Sequence, residues 1–259
     1  MAQRISRAKQ TIKAVGAAFG RLSPTQRQER SDAVKRVLYL MFNEGYTAAA
    51  GNELTRVDLS AEAIRLTRQL VRLQPGDGES IGMLCLMLLT DARRPARTTP
   101  DGDLVPLDEQ DRSLWNRQAI TEAKELLIPA LKSSTAGPYL IQAAIAAIHA
   151  DSSSTETTDW EEILQLYSLL DHMVSNPMVT LNRAVALAMV DGPEAALRLL
   201  DRLEKEPIIA GHYRLTSVRA HLLELSGDFR AARKAYQAAA RATLSSPERR
   251  YLQGRADRL

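Results

Sequence analysis

Residues 213–242 read YRLTSVRAHLLELSGDFRAARKAYQAAARA, and their spacing predicts two helices joined by a tight turn. Gly227-Asp228-Phe229 marks the turn, where glycine relaxes the backbone. Ala220 lies before it, and Ala232, Tyr236 and Ala239 follow at set intervals. Small residues at those places let two helices approach closely where they cross.

This order of small residues, turn and aromatic is that of a tetratricopeptide repeat, a helical hairpin recurring about every 34 residues. A weaker copy, NPMVTLNRAVALAMVDGPEAALRLLDRLEKEP, occupies residues 176–207, with Ala184, Ala196, Leu200 and Leu203 in the equivalent places. Pro193 suits the first turn of its second helix. Ala196 and Ala232 are 36 residues apart, close to the repeat length. A third copy, SAEAIRLTRQLVRLQP at residues 60–75, keeps Ala63, Thr67, Leu70 and Pro75, with Ser60 expected as its N-cap.

Between the copies lie further helical segments. SIGMLCLMLLTDA is apolar nearly all round and is expected to be buried. DRSLWNRQAITEAKELLIPALKS is amphipathic, and Pro129 is expected to bend or end it. GPYLIQAAIAAIHA starts after Gly-Pro, and TDWEEILQLYSLLDHM opens on a capping-box pattern, Thr158 to Glu161 or Asp159 to Glu162. PERRYLQGRADRL reads as a polar-faced terminal helix of the kind solenoids need for solubility. Strand-like alternation is missing over any useful length. The expected fold is therefore all-α: a tetratricopeptide-like α-solenoid of antiparallel hairpins with a short basic N-terminal helix. Residues 1–20 form that helix segment and 21–259 the repeat domain. Two stretches read as loops, Asp151 to Asp159 and the longer, Pro/Gly-punctuated Asp91 to Asp108, which interrupts a hairpin.

Composition agrees with close-packed helices: of 259 residues 45% are hydrophobic, mostly Ala and Leu, and only 5% aromatic. Cys85 is the one cysteine, so no disulfide forms within the chain, and a buried apolar role is expected. A lone cysteine without a secretory leader points to a reducing cytoplasm. The longest apolar run, Ile81 to Leu89, is half of what a bilayer span requires, so no membrane partner is expected. The formal net charge of +3 hides a polarity: the first 36 residues hold nine Lys/Arg against two Asp/Glu, leaving 25 and 29 for the rest. A basic end on a mildly acidic body points to nucleic acid at the N-terminus.

The sequence carries no catalytic constellation. His149, His172, His212 and His221 are scattered without a ligand spacing, and phosphate loops and nucleophile elbows are missing. With one cysteine a zinc knuckle is impossible, so no metal, no cofactor and no enzyme is expected. The strongest candidate site is the long loop with its flanks. Asp91, Arg93, Arg94, Arg97, Asp101, Asp103, Asp108, Gln110, Asp111, Arg112 and Trp115 form a charged cluster with one aromatic. Either its arginines grip a partner's carboxylates or carbonyls, or salt bridges pin the loop to its own solenoid. A second candidate is LYLMFNEGYTAAAG, where Tyr39, Phe42, Asn43, Glu44 and Tyr46 end a helix begun at Ser23-Pro24; a first-repeat core with a Gly51 turn is the alternative. In MAQRISRAKQTIKA, Met1, Ile5, Ala8 and Ile12 make an apolar stripe, and Arg4, Arg7, Lys9 and Lys13 cover the other faces. Such a helix meets phosphates or enters a major groove.

AQRISRAK resembles the end of the recognition helix in region 4 of bacterial extracytoplasmic-function RNA polymerase sigma factors. LYLMFNEGYTAAAG, DARRPARTTPDGDLVPLDEQDRSLW, GPYLIQAAIAAIHA, TDWEEILQLY, LNRAVALAMVDGP and ERRYLQGRADRL are similar to the C-terminal extension of one group of those factors. There a tetratricopeptide-like domain follows the sigma regions, and the resemblance covers essentially the whole chain. It implies that Arg4, Arg7 and Lys9, with Lys13, approach promoter −35 DNA, and that Gln3 and Ser6 reach base edges. It also implies that region 2 and most of region 4 belong upstream of residue 1. This chain alone is then not expected to direct promoter-specific transcription. The implied partners are the polymerase core and promoter DNA for the whole factor, and sigma regions 2 and 4 or a regulatory protein for the extension. Two alternatives stay open: a free-standing repeat scaffold with a peptide in its concave groove, and a small-molecule sensor using the solenoid pocket.

Overall fold

Capping residues delimit most of the helices, and their positions explain where each begins. A computed structural model of the chain describes residues 23–259 and, nearer the N-terminus, Arg7, Gln10 and Thr11. Those three are helical, and the Thr11 hydroxyl donates to the Arg7 carbonyl at 3.0 Å. The other expected DNA-facing residues, Gln3, Arg4, Ser6, Lys9 and Lys13, and the expected boundary at residue 20 lie outside the described residues. The chain divides into two compact units, Met1–Arg36 and Val37–Leu259. In the first, Ser23 and Gln26 cap each other reciprocally: the Gln26 N–H donates to Ser23 Oγ and the Ser23 N–H to Gln26 Oε1, both at 3.1 Å. This box starts α1 (Pro24–Tyr46), which runs on into the second unit.

The second unit continues with α2 (Val57–Leu73), α3 (Gly78–Asp91), α4 (Arg117–Ser133), α5 (Pro138–Asp151) and α6 (Trp160–Met173). It ends with α7 (Pro177–Asp191), α8 (Pro193–Leu203), α9 (Tyr213–Leu225), α10 (Phe229–Ala242) and α11 (Ser246–Arg258). Asp77, Asn116, Asp159, Asn176 and Asp228 each accept a first-turn N–H of the helix they precede, which satisfies donors that helix geometry leaves free. Of the two expected boxes before α6, Asp159 is the cap, while Thr158 Oγ1 donates back to the Ser154 carbonyl at 2.8 Å. Gly192 and Gly227, at φ 88° and 83°, make the turns into α8 and α10 that a side chain would strain.

Each helix from α2 onward packs on its sequence neighbour, and α3 also meets α5 while α7 meets α9. The small residues lie at these crossings as the repeat pattern requires: Ala63, Ala184, Ala196, Ala220, Ala232 and Ala239 are fully buried, as is Thr67. The fold is all-α; among the described residues the only extended pairing is two isolated bridges. One bridge joins Gly51, after α1, to Ser245, before α11, with the Ser246 N–H donating to the Gly51 carbonyl at 2.9 Å. The last helix is thereby tied to the first turn of the same unit.

Two expectations are corrected. Ser60 does not cap α2, which begins three residues earlier. It is buried inside the first turns, its hydroxyl donating to the Val57 carbonyl at 3.3 Å, and a Cβ on Gly45 would stand 2.4 Å from its backbone nitrogen. Pro129 does not end α4, which continues to Ser133. Pro129 and Glu125, whose carbonyl loses its partner, both lie on the exposed side, where water replaces the bond. Phe229 opens α10 at the turn, as the repeat pattern places it, and is 53% exposed.

Candidate functional site

The long loop leaves α3 and returns to α4 at one point, where the Asn116 N–H donates to the Ala92 carbonyl at 2.9 Å. Between these ends the chain makes three single-turn 3-10 segments, Arg94–Ala96, Leu107–Glu109 and Arg112–Leu114, and a Thr98–Leu104 bridge. Its charged residues are turned largely onto their own unit. Arg97 is buried, its guanidinium 3.7 Å above the Tyr46 ring and donating to the Tyr46 carbonyl and to Thr47 Oγ1. Tyr46 in turn stacks on Phe42, a core residue.

Asp103 pairs with Arg250 of α11, and Arg255 of the same helix bridges Glu109 of the loop and Glu224 of α9. Arg112 reaches the end of α5, donating to the carbonyls of His149 and Ser152 at 2.9 and 2.7 Å, and lies over the buried Trp115. Asp91 and Arg94 pair with each other at 3.3 Å. Asp111 caps its own turn, accepting the Ser113 N–H, and Asp101 and Asp108 are exposed. Of the α1 candidates, Asn43 is exposed and Glu44 accepts from the Ala49 N–H at 3.3 Å. The loop is thus anchored at α1, α5 and α11.

Arg93 behaves differently from its neighbours. It makes no ion pair among the described residues, and its Nε is buried without a hydrogen-bond partner. It lines a cavity of about 340 Å³ formed by α3, α5, α6 and α7 with Leu107 of the loop as one wall. Gln142 and His149 enter from α5, Trp160 and Tyr167 from α6, and Asn182 from α7. Leu86, Ile145, Ala146, Val185 and Ala186 supply apolar surface. His149 meets Trp160 edge to face at 5.3 Å, and the indole is oriented by donation to the Thr155 carbonyl at 2.9 Å. Burial, with Arg93 and Arg112 nearby, pushes the His149 imidazole down to about 4, so it is neutral at neutral pH. Its Nδ1 is buried and unpaired. Burial also pushes the Tyr167 phenol up to about 12. Tyr39 of α1 reaches the same wall, its hydroxyl 3.4 Å from Gln142 Oε1.

A smaller cavity of about 170 Å³ lies between Leu104 of the loop and α7, α9 and α11. Asn182 borders both. Leu107 of the loop lines the larger cavity and Leu104 the smaller. Among the described residues no group of three or more His, Cys, Asp or Glu is placed to hold a metal ion. Cys85 is buried in α3, its thiol donating to the Ala123 carbonyl at 3.3 Å. No helix among the described residues is long and apolar enough to cross a membrane.

The sequence pointed to Arg93 through local charge density and to Tyr39 through its aromatic segment. It did not join them to Gln142, His149, Trp160, Tyr167 and Asn182. One signal was present: Gln142 and His149, seven residues apart, put two polar groups on one face of an otherwise apolar helix.

Residues 30–131, which include most of α1, all of α2–α3, the loop and most of α4, match the Family of unknown function (DUF6596). Over all 259 residues the chain is 42% identical to an uncharacterized protein of Rhizobium meliloti (strain 1021). The match takes in 100% of this chain and 61% of that protein, so the chain spans about three fifths of its relative's length.

Proposed function

We propose that this chain is the C-terminal regulatory extension of a bacterial RNA polymerase sigma factor, a cytoplasmic protein-interaction module with no catalytic step of its own. The observation that carries the reading is where the sigma-like strings meet. Tyr39 of LYLMFNEGY, Arg93 of DARR, Gln142 and His149 of GPYLIQAAIAAIHA, Trp160 and Tyr167 of TDWEEILQLY, and Asn182 of LNRAVA converge on one cavity and the loop above it. Stretches scattered over more than 140 residues thus share one place in the fold. The basic residues 1–36 and the greater length of the Rhizobium relative support further regions beside this one.

In this reading polymerase core and promoter DNA are partners of the whole factor, and sigma regions 2 and 4 or a regulatory protein are partners of the extension. The reading frame directly upstream of Met1 is expected to be open and to encode the sigma regions. In that longer factor, Arg93→Glu with Arg94→Glu is expected to lower reporter transcription while the circular-dichroism spectrum stays helical. An in-frame stop codon beside a ribosome-binding site, or undiminished transcription by the folded variant, would overturn the proposal.

A further inference from the structure

The larger cavity holds three features that together specify a ligand. The first is charge. Arg93 is the one cationic side chain in its wall, and no Asp or Glu lines it. Asp91, at the end of α3, does not line it and pairs with Arg94 through Oδ2, while its Oδ1 is buried without a hydrogen-bond partner. Arg97 and Arg112 add positive potential without lining it: Arg97 donates to the Tyr46 carbonyl and Thr47 Oγ1, and Arg112 Nη1 to the carbonyls of His149 and Ser152. The second is unmet hydrogen bonding. Arg93 Nε and His149 Nδ1 are both buried without partners, and buried polar groups are left so only at a cost unless something supplies the bond. The third is shape. Apolar side chains of α3, α5 and α7 and the Trp160 indole make most of the remaining wall. The volume of about 340 Å³ is at the lower end of small-molecule sites. At roughly 30 Å³ per water-sized unit it takes about ten to a dozen non-hydrogen atoms.

We propose that this cavity binds a small organic monocarboxylate with an aromatic or branched apolar body, its carboxylate on the Arg93 guanidinium and its body against Trp160 and the α5–α7 wall. One carboxylate, rather than a phosphate dianion, follows from the charge count: one uncommitted guanidinium faces a neutral imidazole. A guanidinium fork matches a carboxylate in geometry and in charge-assisted bonding. The tyrosine, glutamine and asparagine on the wall provide further polar contacts for the same head group or for a substituent. The inference concerns the cavity alone, and its test uses neither polymerase nor DNA, so it fails or survives separately from the transcriptional reading.

The test is titration calorimetry of the 259-residue chain with phenylacetate, its neutral isostere phenylacetamide, and benzyl phosphate. A second measurement follows Trp160 emission in the Trp115→Phe chain, which has no other tryptophan. Phenylacetate is expected to bind at least about tenfold tighter than the amide and to change Trp160 emission, as loss of one charge-assisted pair requires. Arg93→Gln is expected to abolish that preference and Arg93→Lys to keep part of it. Equal affinity for acid and amide would leave a merely apolar cavity and overturn the proposal. So would tighter binding of benzyl phosphate, a preference that survives Arg93→Gln, or no binding of phenylacetate up to about 10 mM, beyond the millimolar end of the affinity scale.

Discussion

Helix α5 carries two of the cavity's polar groups, yet it has no cap of its own. Its N-cap position is Gly137, its first turn holds no acidic residue, and Pro138 follows directly. The missing acceptor comes from another helix: Glu79 of α3 takes the Tyr139 N–H at 3.0 Å on Oε2 and the Leu140 N–H at 3.1 Å on Oε1. A carboxylate there satisfies two orphan donors and faces the positive end of the helix dipole. Hydrogen bonds to a charged group contribute about 1.5–3 kcal/mol each, and an ordinary N-cap about 1 kcal/mol. The group is part-buried and water replaces some of the loss, so Glu79→Ala is expected to cost about 3 kcal/mol. Glu79→Gln, which keeps one acceptor and turns an NH2 toward the other N–H, is expected to cost about 2 kcal/mol.

The geometry supplies a sharper test than either single change. A Cβ at Gly137 would stand 2.4 Å from Glu79 Cδ, whereas the backbone there, at φ −109°, suits any residue. Gly137→Ala is therefore expected to displace the carboxylate and destabilise the chain when Glu79 is present, and to be nearly neutral when residue 79 is alanine. Urea denaturation followed by circular dichroism gives the four stabilities of this cycle. Hydrogen exchange across residues 137–150 places the loss in α5 even if the stack unfolds in steps. A Glu79→Ala cost under about 0.5 kcal/mol, or a Gly137→Ala cost that is the same in both backgrounds, would refute the cross-helix cap.

Gly82 lies where α3 crosses α5, and a Cβ there would meet the Leu140 nitrogen at 2.6 Å. Gly82→Ala is thus expected to destabilise by about 1–3 kcal/mol in thermal unfolding, although alanine is the better helix former by about 1 kcal/mol. Burial pushes the Cys85 thiol up to about 12, so it stays protonated and is expected to resist a thiol reagent at pH 8 until denaturant is added. His149 sits at about 4 in the fold against its ordinary 6.5, so the unfolded chain binds the extra proton between those values. Stability is therefore expected to fall as pH drops from about 6.5 toward 4, with up to ~1.4 kcal/mol per pH unit from this residue. His149→Phe should flatten that part of the profile in urea titrations at several pH values, and an unchanged slope would exclude the imidazole as its source. Burial lowers His221 in the same direction, so some slope remains.

The hairpins were legible because their determinants are local. Ala184, Ala196, Ala220, Ala232 and Ala239 repeat at intervals set by helix crossing, and Asp159 announces α6 three residues before Glu162. The loop was legible as a loop, since proline, glycine and charge exclude a helix from it. Whether its arginines faced a partner or their own unit was not, because Arg97 stacks on Tyr46, 51 residues earlier, and Asp103 pairs with Arg250, 147 residues later. The cavity was least legible. Gln142, His149, Tyr167 and Asn182 each read as an ordinary helical side chain, and only the stacking of α3, α5, α6 and α7 gives them a common space.

A repeat stack offers extended surfaces for binding, and here a loop residue lines each of two cavities, Leu107 the larger and Leu104 the smaller. Cavities of about 340 and 170 Å³ suit a compact ligand. On α1, Val37 and Leu40 are 64% and 67% exposed one turn apart, and Tyr39 between them turns inward to Gln142 at the cavity wall. One helix thus presents apolar side chains outside and a hydrogen bond to the cavity inside. A change of α1 position that altered both is the physical connection that coupling between a ligand and a partner requires. Replacing Tyr39 by phenylalanine removes only the hydroxyl and so separates that connection from the packing of the ring, which rests on Tyr139 at 5.3 Å.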